Sequence, residues 1–478
     1  MLDEMYARAL EDIGGQNWKF AHRLFQCVAV ASRPLRVEEL ADFLAFDFEE
    51  GPTPTYLAEW RPEDVAHAVL SMCSSLLAVV KMDGSPVIQF AHFSVKEYLT
   101  SERLAQAKDT ISRFHISMIS AHTIVAQACL GVLLHLDENI TEDGLEHYPL
   151  SKYAAKHWVK HARFESVASK VQDGMKCLFD PGKSHLSVWA WIYDPQNPRR
   201  GSELFESPAN ASATPLHYAA FFGMDDIASF LVIERSQDVN ARGFTRKETP
   251  LHVASREGFL ELALILLKHG ADMEARDASD WSPLELAITG GHVALTRVLL
   301  EHGANVNAQD KKRRTPLYLA SDWGKPAVAR VLLGHGADVN ARDKDNETPL
   351  HRAKGREVAQ ILLEHGADAN AMESRNRTQL HVASENGRVG LVQVLLEHGL
   401  DANARDAGYA TPLHLASDPK PRSMVGRYLH IVRLLLQYGS DIHARDYEGR
   451  TPFMRATTKE CREIKELLLE HGAKDHRV

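Results

Sequence analysis

Cysteines are few in this sequence, and none has the spacing of a metal-binding or redox motif. The 478 residues hold five, without a C-x-x-C pair: Cys27, Cys73, Cys129, Cys177 and Cys461. Such scattered cysteines are typical of reduced core residues in an intracellular protein. The longest nearly apolar run, 126–136, is too short to cross a bilayer, and the acidic start at Asp3 and Glu4 is unlike a secretory signal. We therefore expect no membrane association and a location in the cytoplasm, with the nucleus as an alternative.

An excess of basic residues is also absent. Residues 1–207 contain 28 acidic against 20 basic side chains, and residues 208–478 contain 36 against 35. Nucleic-acid binding depends on Lys and Arg side chains that neutralise phosphates. This charge distribution makes nucleic acid an unlikely partner.

Motifs for catalysis and nucleotide binding are missing too. No G-x-x-x-x-G-K-[ST] occurs, because Gly182-Lys183-Ser184 has Cys177 where the first glycine of a P-loop should stand. His157 and His161 lie four residues apart, but they lack the glutamate and third ligand of a zinc site, so we expect a packed or solvated helix face. No G-x-S-x-G motif is present. The sequence therefore predicts no enzyme activity, no cofactor and no metal.

The chain does contain a block that recurs eight times at intervals near 33 residues. We number the repeats 1 to 8 by their Thr or Ser, which is followed in four repeats by Pro-Leu-His and in the other four by a variant of it: Thr214, Thr249, Ser282, Thr315, Thr348, Thr378, Thr411 and Thr451. A fixed period of this length indicates a solenoid of helix pairs, in which each unit buries its apolar face only against its neighbours.

Repeat 3 shows the chemistry of one unit. Ser282 is placed to cap a helix that begins at Pro283, where the missing N–H costs nothing. Gly290-Gly291 end this short helix, and Gly303 ends the longer second one. The T-P-L-H signature with these helix ends resembles the ankyrin repeat, over about residues 208–478. The resemblance implies a concave surface that binds other proteins.

Four repeats depart from the pattern. Repeat 5 is short, so its first helix is expected to lose part of a turn before Val358. Repeat 7 has an insertion over 418–426, which should project between its two helices. Repeats 1 and 8 have irregular, polar ends, as capping units do.

The first 102 residues predict helices near 3–13, 18–32, 37–44 and 62–72, then two strands around the turn 82–85 and a helix capped by Ser94. Three of these four helices, the two-stranded hairpin and the helix that follows it form a winged-helix arrangement. Three segments resemble the winged-helix domain that follows the NACHT module in fungal NACHT–ankyrin proteins, which are NLR-like signalling ATPases: 2–6, 34–40 and 90–99. Residues 103–200 are predicted to be an all-helical coupling block, with Trp189, Trp191 and Tyr193 packed against the first repeat.

His92 is the one residue for which this resemblance implies a role. In related NACHT proteins the histidine at this place faces the β-phosphate of bound ADP. Because no P-loop is present, the residues of this chain favour a different interpretation, a core hydrogen bond between Phe90 and Phe93. Pairing in trans with a separate NACHT-type nucleotide-binding domain is a further hypothesis.

The residues expected to contact a partner lie at the turns between repeats and on the inner face of the first helices. Trp, Tyr and Arg dominate the energetics of protein interfaces, and the candidates are Arg256, Trp281, Lys311, Lys312, Arg313, Arg314, Trp323, Arg375, Arg377, Tyr409 and Tyr447. Trp281 and Trp323, with the basic run 311–314 between them, form one hypothetical patch for an acidic, partly apolar segment. The alternative is that each Trp packs against its neighbouring repeat.

Together these features predict a mostly α-helical protein: a winged-helix domain (1–102), a helical coupling region (103–200) and about eight ankyrin repeats (208–478). The favoured function is a non-enzymatic scaffold for protein interactions, the recognition half of an NLR-like signalling protein without its nucleotide-binding module. The alternative is a regulated nucleic-acid-binding protein that uses the winged helix. A heparin column or a salt-dependent DNA gel shift distinguishes the two.

Overall fold

The computed structural model describes residues 2–13, 18–48, 53–62, 64, 67–68, 75–107, 110–195, 213–418, 425–456 and 461–474. The chain divides into two compact units, Met1–Asp238 and Val239–Val478. The predicted domain limits at 102 and 200–208 stay predictions, and residues 196–212 lie outside the described ranges.

The N-terminal part of the first unit contains the elements of a winged helix. Its helices are Leu2–Glu11, Trp18–Val30, Val37–Leu44, the short 3-10 turn Ala58–Trp60, Phe93–Leu99 and Glu102–Ala105. The hairpin Leu77–Met82 and Ser85–Phe90 is completed by the strand Leu35–Arg36, which pairs antiparallel with the second hairpin strand. A second small sheet pairs Phe46–Asp47 with Thr55–Tyr56. The helix predicted at 62–72 lies largely outside the described residues.

The tight turn of the hairpin follows from its sequence. Asp83 and Gly84 both have positive φ, at 49° and 84°. Two-residue turns with positive φ at both positions match the twist of the flanking strands, and Asp-Gly is a preferred pair there. The predicted hairpin is confirmed, although the strands begin at Leu77 and Ser85, and Ser75 and Leu76 form a turn.

A block of helices follows: the 3-10 turn Thr110–Phe114, then Met118–His135, Glu142–Leu145, Leu150–Ala162, Val167–Lys170, Gln172–Phe179 and His185–Ile192. Met118–His135 forms its centre and packs against Leu150–Ala162 and Trp18–Val30. This helix has the length and composition to span a membrane, and 61% of its 18-residue window is buried inside the protein. That packing is typical of the core helix of a helical domain.

Repeat 1 belongs to this first unit. Its helices are Pro215–Phe221 and Asp225–Ser229, and the second runs into a π-helical turn, Phe230–Glu234. Trp189 packs edge-on against Tyr218, with ring centroids 5.3 Å apart, as the sequence predicts. Trp191 instead packs on the cluster of Leu136, Leu145 and Val188. The π-helical turn is the irregularity expected of an end repeat.

Repeats 2 to 8 form the second unit as pairs of helices: Pro250–Glu257 and Leu260–Lys268, Pro283–Gly290 and Val293–Glu301, Pro316–Asp322 and Pro326–Gly334, Pro349–Arg352 and Arg356–Glu364, Gln379–Glu385 and Val389–Glu397, Pro412–Ala416 and Val425–Gln437, and Pro452–Arg455 and Arg462–Glu470. First helices of successive repeats contact each other, and so do second helices. A continuous apolar interior between two layers of helices results.

The irregular repeats behave largely as expected. The first helix of repeat 5, Pro349–Arg352, has four residues, against seven or eight in repeats 2 to 4. Its predicted shortening is confirmed. Most of the insertion in repeat 7 lies outside the described residues.

Candidate functional site

The start of most first helices is built by a capping box. In repeat 2 the Nδ1 atom of His252 accepts hydrogen bonds from the backbone N–H (3.1 Å) and the hydroxyl (2.7 Å) of Thr249. A side-chain oxygen or nitrogen that reaches back to the helix N-terminus satisfies groups that have no partner in the helix. The same box occurs in repeats 5, 6 and 7, and in repeat 3 Glu285 replaces the histidine.

The same histidines also join neighbouring repeats. Because Nδ1 accepts, the proton lies on Nε2, which donates to a backbone carbonyl of the next repeat. These bonds are His252 to Trp281 (2.9 Å), His351 to Arg377 (3.2 Å), His381 to Ala410 (3.2 Å) and His414 to Arg450 (3.0 Å). Burial lowers the pKa of all four histidines, which are therefore neutral. The neutral ring is what allows one nitrogen to accept and the other to donate.

The turns between repeats are joined by their backbones. We use the name tip row for the outermost turn residues of repeats 4 to 8: 311–313, 344–346, 374–376, 407–409 and 447–449. A backbone N–H of each tip donates to a carbonyl of the preceding tip: Lys344 to Lys312 (3.0 Å), Ser374 to Asp345 (3.1 Å), Ala407 to Arg375 (2.9 Å) and Tyr447 to Gly408 (2.8 Å). The side chains of the tip row are thus presented from a backbone in fixed register.

A second ladder, which the sequence interpretation missed, runs beside the ends of the second helices. Asn307 donates from Nδ2 to the carbonyl of Gly336 (3.2 Å), and its Oδ1 accepts from the N–H of Asp338 (2.8 Å). Asn340 and Asn403 make the same pair of bonds to the next repeat. The available signal was the Asn-Ala pair that recurs after five of the second helices, at 240–241, 307–308, 340–341, 370–371 and 403–404.

Several predicted contact residues are exposed in the tip row. Tyr409 and Tyr447 are 52% and 81% exposed, and Lys312, Arg313 and Arg375 are exposed as well. Within the described part of the chain, no carboxylate forms an ion pair with Lys312, Arg313 or Arg375. Lys311 lies 3.5 Å from Asp280 and is 79% exposed. These side chains are available to a partner.

Other predicted contact residues are held by the protein itself. Arg256 binds Glu248 and Glu257, Arg314 binds Asp310 at 2.6 Å, and Arg377 binds Glu385 at 2.5 Å. These ion pairs stabilise the turns at the start of repeats 2, 4 and 6. A partner that used these arginines would have to compete with a carboxylate of the chain.

The two tryptophans of the hypothetical patch differ in exposure. Trp281 is half-buried, and its backbone carbonyl accepts the bond from His252. Trp323, at the end of the first helix of repeat 4, is 52% exposed, with the ammonium of Lys354 5.8 Å from its ring centroid. Trp281 thus fits the alternative of packing within the repeats, whereas Trp323 is accessible.

His92 is exposed and caps a helix. It precedes Phe93–Leu99, and its Nδ1 accepts from the N–H of Ser94 (3.3 Å) and lies 2.6 Å from the hydroxyl of that residue. Phe93 beside it is 70% exposed. The expected core hydrogen bond is wrong, and so is Ser94 as the cap, because the extended backbone at His92 (φ −148°, ψ 149°) makes His92 the N-cap residue.

The histidine pair of the helical block is packed. His161 is buried, its Nδ1 lies 2.9 Å from Nδ1 of His122, and its Nε2 lies 3.0 Å from the hydroxyl of Tyr153. Burial lowers the pKa of His161 to about 3 and that of His157 to about 4. Among the residues described, no group of three or more His, Cys, Asp or Glu could hold a metal ion.

Stacked helix pairs with projecting turns define a solenoid repeat protein, a class whose extended surfaces bind other proteins. The model of the family described as "Ankyrin repeats (3 copies)" matches residues 201–277, 275–343, 305–373, 338–406 and 355–446, more than half of the chain. The chain belongs to the ankyrin-repeat family, whose fold is typically non-catalytic. The model described as "GPI inositol-deacylase, winged helix domain" matches residues 8–114, so the N-terminal part is a winged-helix domain.

The chain is similar to curated proteins over part of their length. It is 27% identical over 287 residues to "Azaphilone pigments biosynthesis cluster protein L" of Monascus ruber, covering 57% of this chain and 60% of that one. It is 37% identical over 89 residues to "Palmitoyltransferase Hip14" of Drosophila melanogaster, covering 17% and 14%. The chain thus spans less than two thirds of either relative.

Two solved ankyrin-repeat domains are similar in sequence to the repeats. Those of Bcl-3 and of human ASB11 are each 30% identical to this chain. The match to the Bcl-3 domain covers 47% of this chain and 99% of that domain, with a TM-score of 0.41. The match to the ASB11 domain covers 48% of this chain and 100% of that domain, with a TM-score of 0.43.

Proposed function

We propose that this protein is a non-enzymatic interaction scaffold, the recognition half of an NLR-like signalling protein whose nucleotide-binding module is not among these 478 residues. The tip row is the observation that carries the proposal. It presents Lys312, Arg313 and Arg375, then Tyr409 and Tyr447, from turns whose backbones are hydrogen-bonded to each other. We place the protein in the cytoplasm, with the nucleus as the alternative compartment.

The chemistry of the tip row favours a protein partner with an acidic segment next to an apolar one. Five cations stand at the tips of repeats 4 to 6, with Asp345 as the one carboxylate among them. Tyr409 and Tyr447 follow at the tips of repeats 7 and 8, where Glu448 is the acidic neighbour. Exposed tyrosines bury a large area at low conformational cost and are frequent hot spots. Cations beside them steer an acidic partner into place.

The backbone of Tyr409 adds support. Its φ is 57°, in the left-handed region that this place adopts in repeats 3 to 8, with Asp280, Arg313, Asn346 and Asn376 in repeats 3 to 6 and Gly449 in repeat 8. A non-glycine residue there costs on the order of 1 kcal/mol. An exposed aromatic side chain at such a position contributes nothing to the core, so a role in binding is a sufficient reason for it.

The proposal is tested by selecting binders from a peptide-display library on the wild-type protein. We expect acidic, partly apolar peptides, and at least about tenfold weaker binding to the double variant Tyr409→Ala/Tyr447→Ala, since hot-spot aromatics contribute about 2 kcal/mol or more. Tyr438→Ala is the matched control, because Tyr438 is 46% exposed but outside the tip row. Unchanged binding to the double variant, or an equal loss in the control, contradicts the proposal.

We further propose that the winged-helix domain faces a NACHT-type nucleotide-binding domain through His92. The exposed His92 and Phe93 form an accessible corner at the start of one helix, and a histidine there can donate to a phosphate. Replacing His92 with Ala should weaken association with a purified ADP-loaded domain of this type, measured by calorimetry. His147→Ala, at an exposed position of the helical block, should leave it unchanged. Association that is independent of both nucleotide and His92 would rule this out.

A further inference from the structure

An open cavity lined by arginines lies beside the short fifth repeat. Its volume is about 360 Å³, and its walls come from three successive repeats. Gly355 and Arg356 belong to repeat 5, Asn386 and Arg388 to repeat 6, and Arg427 to repeat 7. The three arginines are the charged residues among the described residues that line it.

Repeat 5 has a glycine at a position where other repeats have a side chain. In repeats 3 and 4 the N-cap residues of the second helices are His292 and Lys325. The corresponding N-cap residue of repeat 5 is Gly355, which lines the cavity. A Cβ built there would meet nothing within 4 Å, so this part of the wall is open backbone.

Two of the three arginines have no acidic partner in the part of the chain that the structure describes. Among the described residues, no carboxylate forms an ion pair with Arg388 or Arg427. Arg356 lies 3.3 Å from Glu397, and these side chains are 51% and 35% exposed. An exposed ion pair of this kind contributes little free energy and can rearrange. The cavity therefore carries a net positive charge.

Two helices add to this potential. Arg356–Glu364 and Val389–Glu397, each nine residues long, begin at the cavity, and neither has a side-chain hydrogen bond at its N-cap. The N-terminus of a helix carries a partial positive charge and unpaired N–H groups. The partial positive charges of these two helix N-termini add to the charges of the arginines, and together they favour the binding of an anion.

We propose that this cavity binds a phosphoryl group on a serine or threonine of the docked partner. The inference rests on the proposed docking function. A phosphoryl group carries nearly two negative charges and three acceptor oxygens, and clustered arginines are its usual protein ligands. A single carboxylate would leave part of this charge uncompensated. Val389 and Leu391 are the larger apolar residues of the described lining, which has no aromatic side chain to stack a nucleotide base.

The test compares two charge-matched double variants of the full chain. R388Q/R427Q removes two arginines of this cavity. R297Q/R330Q removes two from another cavity of about 400 Å³ between repeats 3 and 4, where Glu357 lies 3.4 Å from Arg330. Degenerate nonapeptide pools with a central phosphoserine, serine or aspartate are the probes, and fluorescence anisotropy measures their binding. Thermal unfolding of each variant checks that the fold is intact.

We expect the phosphoserine pool to bind at least about tenfold more tightly than the serine pool, since hydrogen bonds to charged groups are worth about one such factor or more. R388Q/R427Q should abolish this preference, and R297Q/R330Q should keep it. Inorganic phosphate at millimolar concentration should compete with the phosphoserine peptides and reduce this preference, because the phosphoryl group is what the cavity recognises. An equal loss of the preference in both variants would show that net charge alone causes the binding. No preference, or equal loss in both variants, overturns the proposal.

Failure here is distinguishable from failure of the docking function. Unphosphorylated peptides selected by display should depend on Tyr409 and Tyr447 and be indifferent to R388Q/R427Q. If they behave so while no phosphoserine preference is found, the tip row binds partners and the cavity is not a phosphoryl site. If the preference is found but the tyrosines have no effect, the cavity proposal stands without the tip row.

Discussion

At the scale of single residues, each of the buried histidines His252, His351, His381 and His414 does two tasks with one neutral ring. Its Nδ1 completes the capping box of its own repeat, and its Nε2 joins the next repeat. The substitutes at this position keep one task each. Glu285 in repeat 3 completes the capping box and pairs with Arg276, nine residues earlier, at 2.9 Å. Tyr318 in repeat 4 donates to Glu347 of the next repeat at 3.0 Å.

Removing one of these histidines should be costly. We expect His381→Ala to lower the free energy of unfolding by about 2–4 kcal/mol, because the change leaves the N–H of Thr378 and the carbonyl of Ala410 without partners in a buried site. His302→Ala is the control. His302 is exposed and bonds only the carbonyl of Val298 in its own helix, so its loss should cost about 0.5 kcal/mol or less. Urea unfolding followed by circular dichroism measures both, and similar values for the two would contradict the dual role.

At the scale of elements, irregular segments proved more informative than regular ones. The 30-residue spacing before Thr378 predicted a shortened first helix in repeat 5, and the structure adds that Gly355 of this repeat lines an open cavity. The strand Leu35–Arg36 was missed because two residues between helices have no detectable period. The cap at His92 was assigned two residues too late, since an N-cap is defined by its backbone angles and Ser94 has the more usual side chain.

At the scale of the whole molecule, many buried histidines should make stability depend on pH. Burial lowers the pKa of His252, His351, His381, His414 and His161 below the ordinary value of 6.5. The unfolded chain therefore binds more protons than the folded one once the pH falls below about 6.5, and the free energy of unfolding decreases with acidification. Asp42 opposes this trend, because burial raises its pKa to about 6, so that the folded state takes up a proton more readily there.

We expect the unfolding temperature to fall by several degrees between pH 7.5 and pH 5.5, since each neutral buried histidine can lose roughly 1 kcal/mol over that interval. Most carboxylates remain ionised throughout this range, so histidines dominate the change. Thermal unfolding at constant ionic strength measures it, and the variant His161→Gln should show a smaller slope. An unfolding temperature that is constant or rises towards pH 5.5 would contradict the expectation.

The sequence by itself determined the fold class and the unit of repetition. The T-P-L-H signature, the helix-ending glycines and the apolar spacing are local signals, each set by a few neighbouring residues, so they can be recognised without coordinates. The histidines before those glycines also follow from local rules: His302, His335, His365, His398 and His471 each bond the carbonyl four residues earlier, as expected of the last turn of a helix.

Only the tertiary structure decided which predicted contact residues are available to a partner. Arg314 and Arg313 are neighbours of the same chemical type, yet the first is held by Asp310 and the second is exposed. Trp281 and Trp323 differ in the same way. The pairing of Arg314 depends on how its own turn folds, because Asp310 is only four residues earlier. Other contacts join residues about 30 positions apart, as in the bond from His252 to the carbonyl of Trp281. These form only when the repeats stack, which is why no local pattern predicts them.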